Sequence, residues 1–250
     1  MDPPLSDGSL ASLYSSDYYG GTAEYAYTDE RIDEPYNACV WDARINKIRS
    51  WVSSGRFLDI GCSFGGFLVR ASRYYTPYGI EISAEAAAYA ENRGITVHTG
   101  SVYDCPFEED SFAVATMIEV IEHLKDPVRA VSCVYSRLQP GGIAVIQTAD
   151  MNAWQAREAG NDYHYYLPGH VSYFSETNLT WLLSRVGFSE IRVYRPVDFG
   201  LLPKLCKMRA SFTRLTDYLR WFRASVYHVK GYFSRSGIPL TSSMVVYARK

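Results

Sequence analysis

Arg56-Phe-Leu-Asp-Ile-Gly-Cys-Ser-Phe-Gly-Gly-Phe-Leu68 decides how the rest of the chain is read. An apolar run holds one acidic residue, Asp59, and then breaks into Gly61, Gly65 and Gly66. That order reads as a strand, a tight turn and the start of a helix. Glycines let the turn's backbone N–H groups approach a ligand closely, and the helix start adds partial positive charge. A small polar ligand is therefore expected at the turn.

Downstream, Tyr78-Gly-Ile-Glu81-Ile82 is a second apolar strand, with an acidic residue about 20 positions beyond the glycine turn. A carboxylate there suits the vicinal hydroxyls of a ribose. Ser83 caps a helix over 84–93, and Ile95-Thr-Val-His98 forms a short third strand. Ser111-Phe-Ala-Val-Ala-Thr-Met-Ile118 is almost wholly apolar, as a central parallel strand should be. It runs into Glu119-Val-Ile-Glu122-His123; a helical pattern and the turn Leu138-Gln-Pro-Gly-Gly142 then lead to a further strand. Alternating strands and helices imply right-handed βαβ units and a parallel sheet.

Two families build such a glycine turn. A dinucleotide fold wants G-x-G-x-x-G directly after the strand. Here the order is Asp59-x-Gly61-x-Ser63-x-Gly65, which resembles motif I of class I S-adenosylmethionine-dependent methyltransferases, with Ser63 where a glycine is common. Glu81 matches the family's second motif. Gly100-Ser-Val-Tyr-Asp-Cys-Pro-Phe107 and Leu138-Gln-Pro-Gly-Gly142 match two more, in the family's order, and the set is most similar to the ubiquinone-biosynthesis and natural-product O-methyltransferase branch.

The resemblance implies a Rossmann-like α/β fold: a seven-stranded, mostly parallel sheet with helices on both faces. Residues 191–194 and 243–248 would form an antiparallel edge pair, with a helical insertion before the last strand. It also implies S-adenosyl-L-methionine as cofactor, held by Asp59, Gly61, Cys62, Ser63, Gly65 and Phe67, by Glu81 and Ile82, by Ser101 and Val102 along the adenine, and by Met117, Ile118 and Glu119. The acceptor would be a small-molecule hydroxyl. A nicotinamide-dependent oxidoreductase and a catalytically silent S-adenosylmethionine-binding protein are the alternatives.

Methyl transfer from a sulfonium needs in-line placement of the acceptor and, for a hydroxyl, removal of its proton. His123 and His170 are the candidate bases, because imidazole accepts a proton near neutral pH. Glu119, Glu122 and His123 stand at i, i+3, i+4, on one face if that turn is helical. Two carboxylates and an imidazole could hold Mg²⁺, with His170 or His164 completing the set as in metal-assisted relatives.

Two hundred and fifty residues suffice for one large domain with an insertion. Residues 1–34 read as a flexible Tyr-rich arm, 35–198 and 240–250 as the methyltransferase domain, and 199–239 as a basic amphipathic helical insertion. In the insertion, Leu205 to Phe233 keep three- and four-residue apolar steps opposite a basic face, so the stripe is expected to pack on the core or on a partner copy (a homodimer), with an anionic membrane surface or a phosphorylated substrate as the sharper alternative.

A net charge of −2 gives no push toward nucleic acid, and Glu119-Val-Ile-Glu122 stands where base methyltransferases carry an aromatic N/D-P-P-Y motif. The 21 tyrosines suit a pocket or an interface. Five scattered cysteines, without a C-x-x-C pair, suggest neither a disulfide framework nor a zinc site, so a reducing cytoplasm is expected. No apolar run approaches the ~20 residues of a membrane span.

Overall fold

The computed structural model describes residues 29–167, 169–195, 198–209 and 212–250. The Tyr-rich arm therefore lies, up to residue 28, outside the described residues.

Strand β1 (Gly55–Ile60) is flanked by β2 (Tyr75–Glu81) and β4 (Phe112–Ile118), both parallel to it. The sheet order is β3-β2-β1-β4-β5-β9-β6, with β3 at Thr96–Thr99, β5 at Leu138–Ala149, β6 at Ser189–Tyr194 and β9 at Ser243–Arg249. β9 runs antiparallel to both of its neighbours, β5 and β6. This is the expected seven-stranded, mostly parallel sheet with an antiparallel pair toward one edge. The winding direction reverses between β1 and β4, and open α/β sheets form a ligand crevice at such a point, beyond the strand C-termini.

Residues of β1 alternate between the two faces. Phe57 joins a core with Leu68, Val114, Val145 and Tyr247, while Leu58 and Ile60 join one with Met117, Leu138 and Val246. Helix α1 (Glu34–Arg49) buries Val40, Ile45 and Ile48 on the first face. Helices α2 (Gly66–Ala71), α3 (Ala84–Glu91) and α4 (Pro127–Arg137) are the crossovers. Ser83 and Asp126 cap α3 and α4 through the N–H groups of Ala86 and Arg129. Helix α5 spans Trp154–Ala159, and α6 (Glu176–Val186) begins with a reciprocal Ser175–Asn178 capping box.

Two differences from the sequence reading are local. The helix that the sequence suggests over 65–75, after the glycine turn, spans only Gly66–Ala71. The Leu138-Gln-Pro-Gly-Gly142 segment is already part of β5, where a Cβ on Gly142 would meet the carbonyl oxygens of Gln139 and Phe112 at 2.9 Å.

The insertion holds α7 (Leu201–Met208), which packs on α1, then α8 (Asp217–Lys230), which packs on α7, and a small hairpin of β7 (Ser234–Arg235) and β8 (Ile238–Pro239). The single stripe read in the sequence is thus divided: Leu205 turns inward, whereas Leu219, Phe222, Val226 and Val229 face solvent.

The expectation of unpaired cysteines is corrected here. Packing of α7 on α1 brings the Cα atoms of Cys39 and Cys206 to 6.3 Å, within bridging reach, and the two form a disulfide across 167 positions. Cys62, Cys105 and Cys133 remain thiols. Among the described residues, no helix is long and apolar enough to cross a membrane.

Candidate cofactor and acceptor site

The turn after β1 is built as its glycines suggest. Gly61 and Gly65 have φ of +74° and +76°, where a side chain would be strained, and a Cβ on Gly61 would sit 2.7 Å from Val120 Cγ2. Ser63 also adopts positive φ, 49°, in the place where the resembled motif has glycine. The Ser63 N–H donates to Glu81 Oε2 at 2.8 Å and the Ser83 N–H to Glu81 Oε1 at 2.9 Å, so one buried carboxylate ties the glycine turn to the end of β2. The Ser63 hydroxyl is buried and has no hydrogen-bond partner among the described residues. Glu30 Oε1 accepts from the Gly66 N–H at 3.2 Å, bringing an acidic group from before α1 to the same turn.

Asp59 lies beneath the turn, in register with Gly79 of β2 on one side and Thr116 of β4 on the other. It is 5% exposed and accepts from Thr116 Oγ1 at 2.5 Å. Burial pushes its carboxyl up to about 8, against the lowering effect of the Thr116 hydrogen bond. Asp59 thus supports the loop as a buried acid.

The remaining candidates divide by their surroundings. Cys62 and Phe67 point into the core beneath the sheet, Phe67 edge-on to Phe57, so only their backbone faces the turn; burial also pushes the Cys62 thiol far up. Val102 and Met117 are core residues of the other face. Ile82 is 59% exposed, and Ser101 caps the short turn at Val102–Asp104 through the Tyr103 N–H. Ile118 is partly buried against the first core, and Glu119, directly after it, has φ of 55°. A non-glycine residue held left-handed at the end of a central strand stores backbone strain of the kind that gathers at functional sites.

Beyond β4 the structure brings together residues from three segments. Glu122 and His123 lie on a single 3₁₀ turn (Ile121–His123), and the Glu122 carbonyl accepts from the N–H groups of both Val171 and Ser172. That anchor places His170 against His123, with ring centroids 4.6 Å apart and nearly perpendicular. His123 Nδ1 lies 3.0 Å from the Gly169 carbonyl and His170 Nδ1 lies 2.8 Å from the Tyr165 carbonyl. A carbonyl only accepts, so each Nδ1 carries its proton and each Nε2 carries a lone pair. Burial, reinforced by His170, lowers His123 to about 4, and burial lowers His170 as well. Ligand atoms of Glu122, His123 and His170 all lie within 4.8 Å of one another. His164 is exposed and packs edge-on against Tyr163, outside that group.

Sequence reasoning did not single out the polar chain behind this group. Tyr165 Oη lies 2.5 Å from Glu122 Oε1 and 3.1 Å from Glu119 Oε2. Gln147 of β5 donates to Glu119 Oε1 and accepts from Arg44 of α1. Burial and the neighbouring Glu119 push Glu122 well above the ordinary carboxylate range. The Tyr165 phenol bridges the two carboxyls. The signal for Arg44 was present: an arginine between Val40 and Ile48 on the buried face of a helix is out of place unless it has polar work inside.

A reversing parallel sheet, a glycine turn tied to an acidic residue at the end of the next strand, and a polar cluster after the fourth strand lie together at the strand C-termini, where open α/β sheets form their ligand crevice. The comparisons with known proteins give the family. Residues 35–193 match the family model described as methyltransferase domain, and the chain belongs to this family. It is an S-adenosylmethionine-dependent methyltransferase of class I, and the nicotinamide alternative falls away.

Its relatives include an uncharacterised protein of Methanocaldococcus jannaschii, 25% identical, covering 68% of this chain and 83% of the relative. The ubiquinone biosynthesis O-methyltransferase of Paraburkholderia phymatum is 32% identical over 43% of this chain, a match that spans about half (53%) of that enzyme. Among solved structures, a S-adenosylmethionine-dependent methyltransferase of Thermotoga maritima superposes with a TM-score of 0.58 at 20% identity, covering 88% of this chain and 92% of that one. Phosphoethanolamine N-methyltransferase 2 of Haemonchus contortus, bound to S-adenosyl-L-methionine, gives 0.60 at 17% identity, covering 96% of this chain and 66% of that one. At these identities the superpositions speak for the fold.

Proposed function

We propose that this methyltransferase acts on a hydroxyl of a small molecule, with His123 Nε2 as the proton acceptor and His170 positioning it. The observation that carries the proposal is the pair of Nδ1 contacts to backbone carbonyls, which leaves the imidazole lone pairs on Nε2, in a cluster where a ring nitrogen of each histidine and a Glu122 carboxyl oxygen lie within 4.8 Å of one another. Bound S-adenosyl-L-methionine would supply the electrophilic methyl group and leave as S-adenosylhomocysteine, while His123 Nε2 would take the proton of the acceptor hydroxyl. Gly61, Gly65, the Ser63 hydroxyl and Glu81 line the cofactor side. Distant similarity to ubiquinone O-methyltransferases supports oxygen over nitrogen as the methylated atom. We place the reaction in the cytoplasm, a setting in which a Cys39–Cys206 bridge is unusual.

A second reading is favoured by the same lowered imidazole basicity, which weakens a base but suits a ligand. Glu122, His123 and His170 could together hold a divalent ion, and Glu122 Oε2 is buried without a hydrogen-bond partner among the described residues. Two imidazole nitrogens and one carboxylate fit a transition ion better than Mg²⁺, which prefers oxygen ligands. Such an ion would supply Lewis acidity toward the acceptor oxygen.

The test is His123→Ala, read as single-turnover methyl transfer across a panel of phenols, sugars and quinols, with calorimetry of S-adenosylhomocysteine in parallel. The base assignment predicts a fall of roughly 10²–10⁴-fold in transfer with cofactor affinity retained. Full activity in the variant rejects it. Activity lost on chelation in the wild type and restored by Mn²⁺ or Zn²⁺ supports the metal reading instead. No transfer to any acceptor, with cofactor bound, favours the silent cofactor-binding protein.

A further inference from the structure

Helix α8 is turned the wrong way for a helix that only completes a core. Its inward side is Trp221, Ala224 and His228, and the Trp221 indole N–H donates to the Leu205 carbonyl of α7 at 3.0 Å. Its outward side, continuing the preceding turn, carries Leu215, Tyr218, Leu219, Phe222, Val226 and Val229, exposed at 87, 56, 56, 62, 38 and 45%. At helical spacing these residues fall within an arc of about 100°, a single stripe along one side. Phe233 and Tyr232, just past the helix, are 59% and 58% exposed and extend it. An apolar strip this long on a surface marks a contact.

The rim of the strip says what that contact is. Arg214, Arg220, Arg223, Lys230 and Arg235 are all exposed around it. The one acid of the insertion, Asp217, is 7% exposed, its carboxylate engaged by the N–H groups of Thr213 and Arg214. Residues 199–239 hold eight Lys and Arg against that single Asp, a charge of +7 in a chain whose total is −2. Two copies meeting through this face would set like charges against each other, at a cost a bilayer with anionic headgroups does not impose. We infer that α8 is an interfacial membrane anchor, lying flat with the Leu219–Phe222–Val226 stripe in the headgroup region of an anionic bilayer and its arginines and Lys230 on the lipid phosphates. At 14 residues, or about 21 Å at 1.5 Å per residue, it lies on the surface and does not span. Since α8 packs on α7, and α7 is bridged to α1, docking holds the whole insertion on the bilayer without moving the sheet.

The test is co-sedimentation of the full chain with vesicles of phosphatidylcholine alone and of phosphatidylcholine with about one-third phosphatidylglycerol. Binding is expected only to the anionic vesicles, weakening as salt rises. Each basic residue removed from the rim should weaken it about fivefold, so Arg223→Glu with Lys230→Glu should abolish detectable sedimentation. Phe222→Asp with Val226→Asp should do the same while leaving melting temperature and S-adenosylhomocysteine affinity unchanged, since both side chains face solvent. Equal binding to both vesicles, or to neither, overturns the proposal. So does a dimer in sedimentation velocity that Phe222→Asp dissolves in a protein that ignores vesicles, because a second copy would then cover the stripe.

Discussion

The Tyr165 hydroxyl stands between two carboxyls, 2.5 Å from Glu122 and 3.1 Å from Glu119, and so joins the loop before His170 to the turn after β4. One phenol hydrogen cannot serve both acceptors at once, and burial with the neighbouring Glu119 raises the Glu122 carboxyl. Tyr165→Phe removes the bridge and leaves Glu122 buried with its partner gone. We expect a loss of about 1–3 kcal/mol in denaturant unfolding, the usual cost of an unsatisfied buried polar group. Methyl transfer should also fall, with S-adenosylhomocysteine affinity nearly intact. A variant as stable as the wild type would show that the bridge has no structural role.

Glu81 makes a different prediction, because on the proposed function it belongs to the cofactor side. Glu81→Ala removes the acceptor of two backbone N–H groups, Ser63 in the glycine turn and Ser83 after β2, and so unties the turn from that strand. Hydrogen bonds to charged groups contribute about 1.5–3 kcal/mol each, so cofactor affinity should fall at least 100-fold in calorimetry. Affinity within threefold of the wild type would remove Glu81 from the site.

At Gly61 sterics and backbone strain are separable. Gly61→Ala brings a Cβ to 2.7 Å from Val120 Cγ2 at φ +74°, and cofactor binding should be lost. Adding Val120→Ala relieves the contact but not the left-handed backbone, so the double variant should recover binding only in part, about 1–2 kcal/mol remaining as αL strain. Full recovery would mean that the clash alone mattered.

The pH dependence of stability follows from Asp59. Its folded-state value, about 8, lies above the ordinary carboxylate value, so the folded protein keeps a proton that the unfolded chain has released. Its contribution is complete below about pH 4 and is lost as pH rises through about 8, at up to about 1.4 kcal/mol per pH unit. Unfolding midpoints of the wild type should therefore fall between pH 5 and pH 8 relative to Asp59→Asn, which keeps a neutral side chain throughout. Parallel pH profiles for the two proteins would contradict the buried-acid assignment.

Thiol counting tests the bridge. Alkylation of the unreduced, denatured protein should label Cys62, Cys105 and Cys133 alone, and reduction beforehand should raise the count to all five cysteines. Five labels without reductant would mean that Cys39 and Cys206 are neighbours and no more.

These residues also show what a sequence makes readable. The glycine turn, Glu81 and the almost wholly apolar β4 were legible because each is a short pattern whose meaning is local: a backbone that must go left-handed, a strand buried on both faces. Tyr165, Gln147 and Arg44 were not, since their role exists only once α1, β5 and the 163–173 loop converge on Glu119. The insertion was half legible. Apolar periodicity announced a helical stripe in the right place but carried no sign of direction, and which face turned inward was decided by Trp221 finding a carbonyl on α7. The cysteine pairing had no local signature, because 167 residues separate its ends.

The place of β9 in the sheet has a consequence for how the molecule comes into being. Among the described residues β6 pairs with β9 alone, and β9 separates β6 from β5, so the later of the two strands in the chain is the inner one. While β1 to β5 assemble, α7 can already pack on α1, but β6 has no strand to pair with until β9 arrives. Until residues 243–249 emerge, the outer edge of β5 is an open hydrogen-bonding edge able to recruit another chain. Premature termination inside the insertion would therefore be expected to produce aggregation rather than a smaller working enzyme.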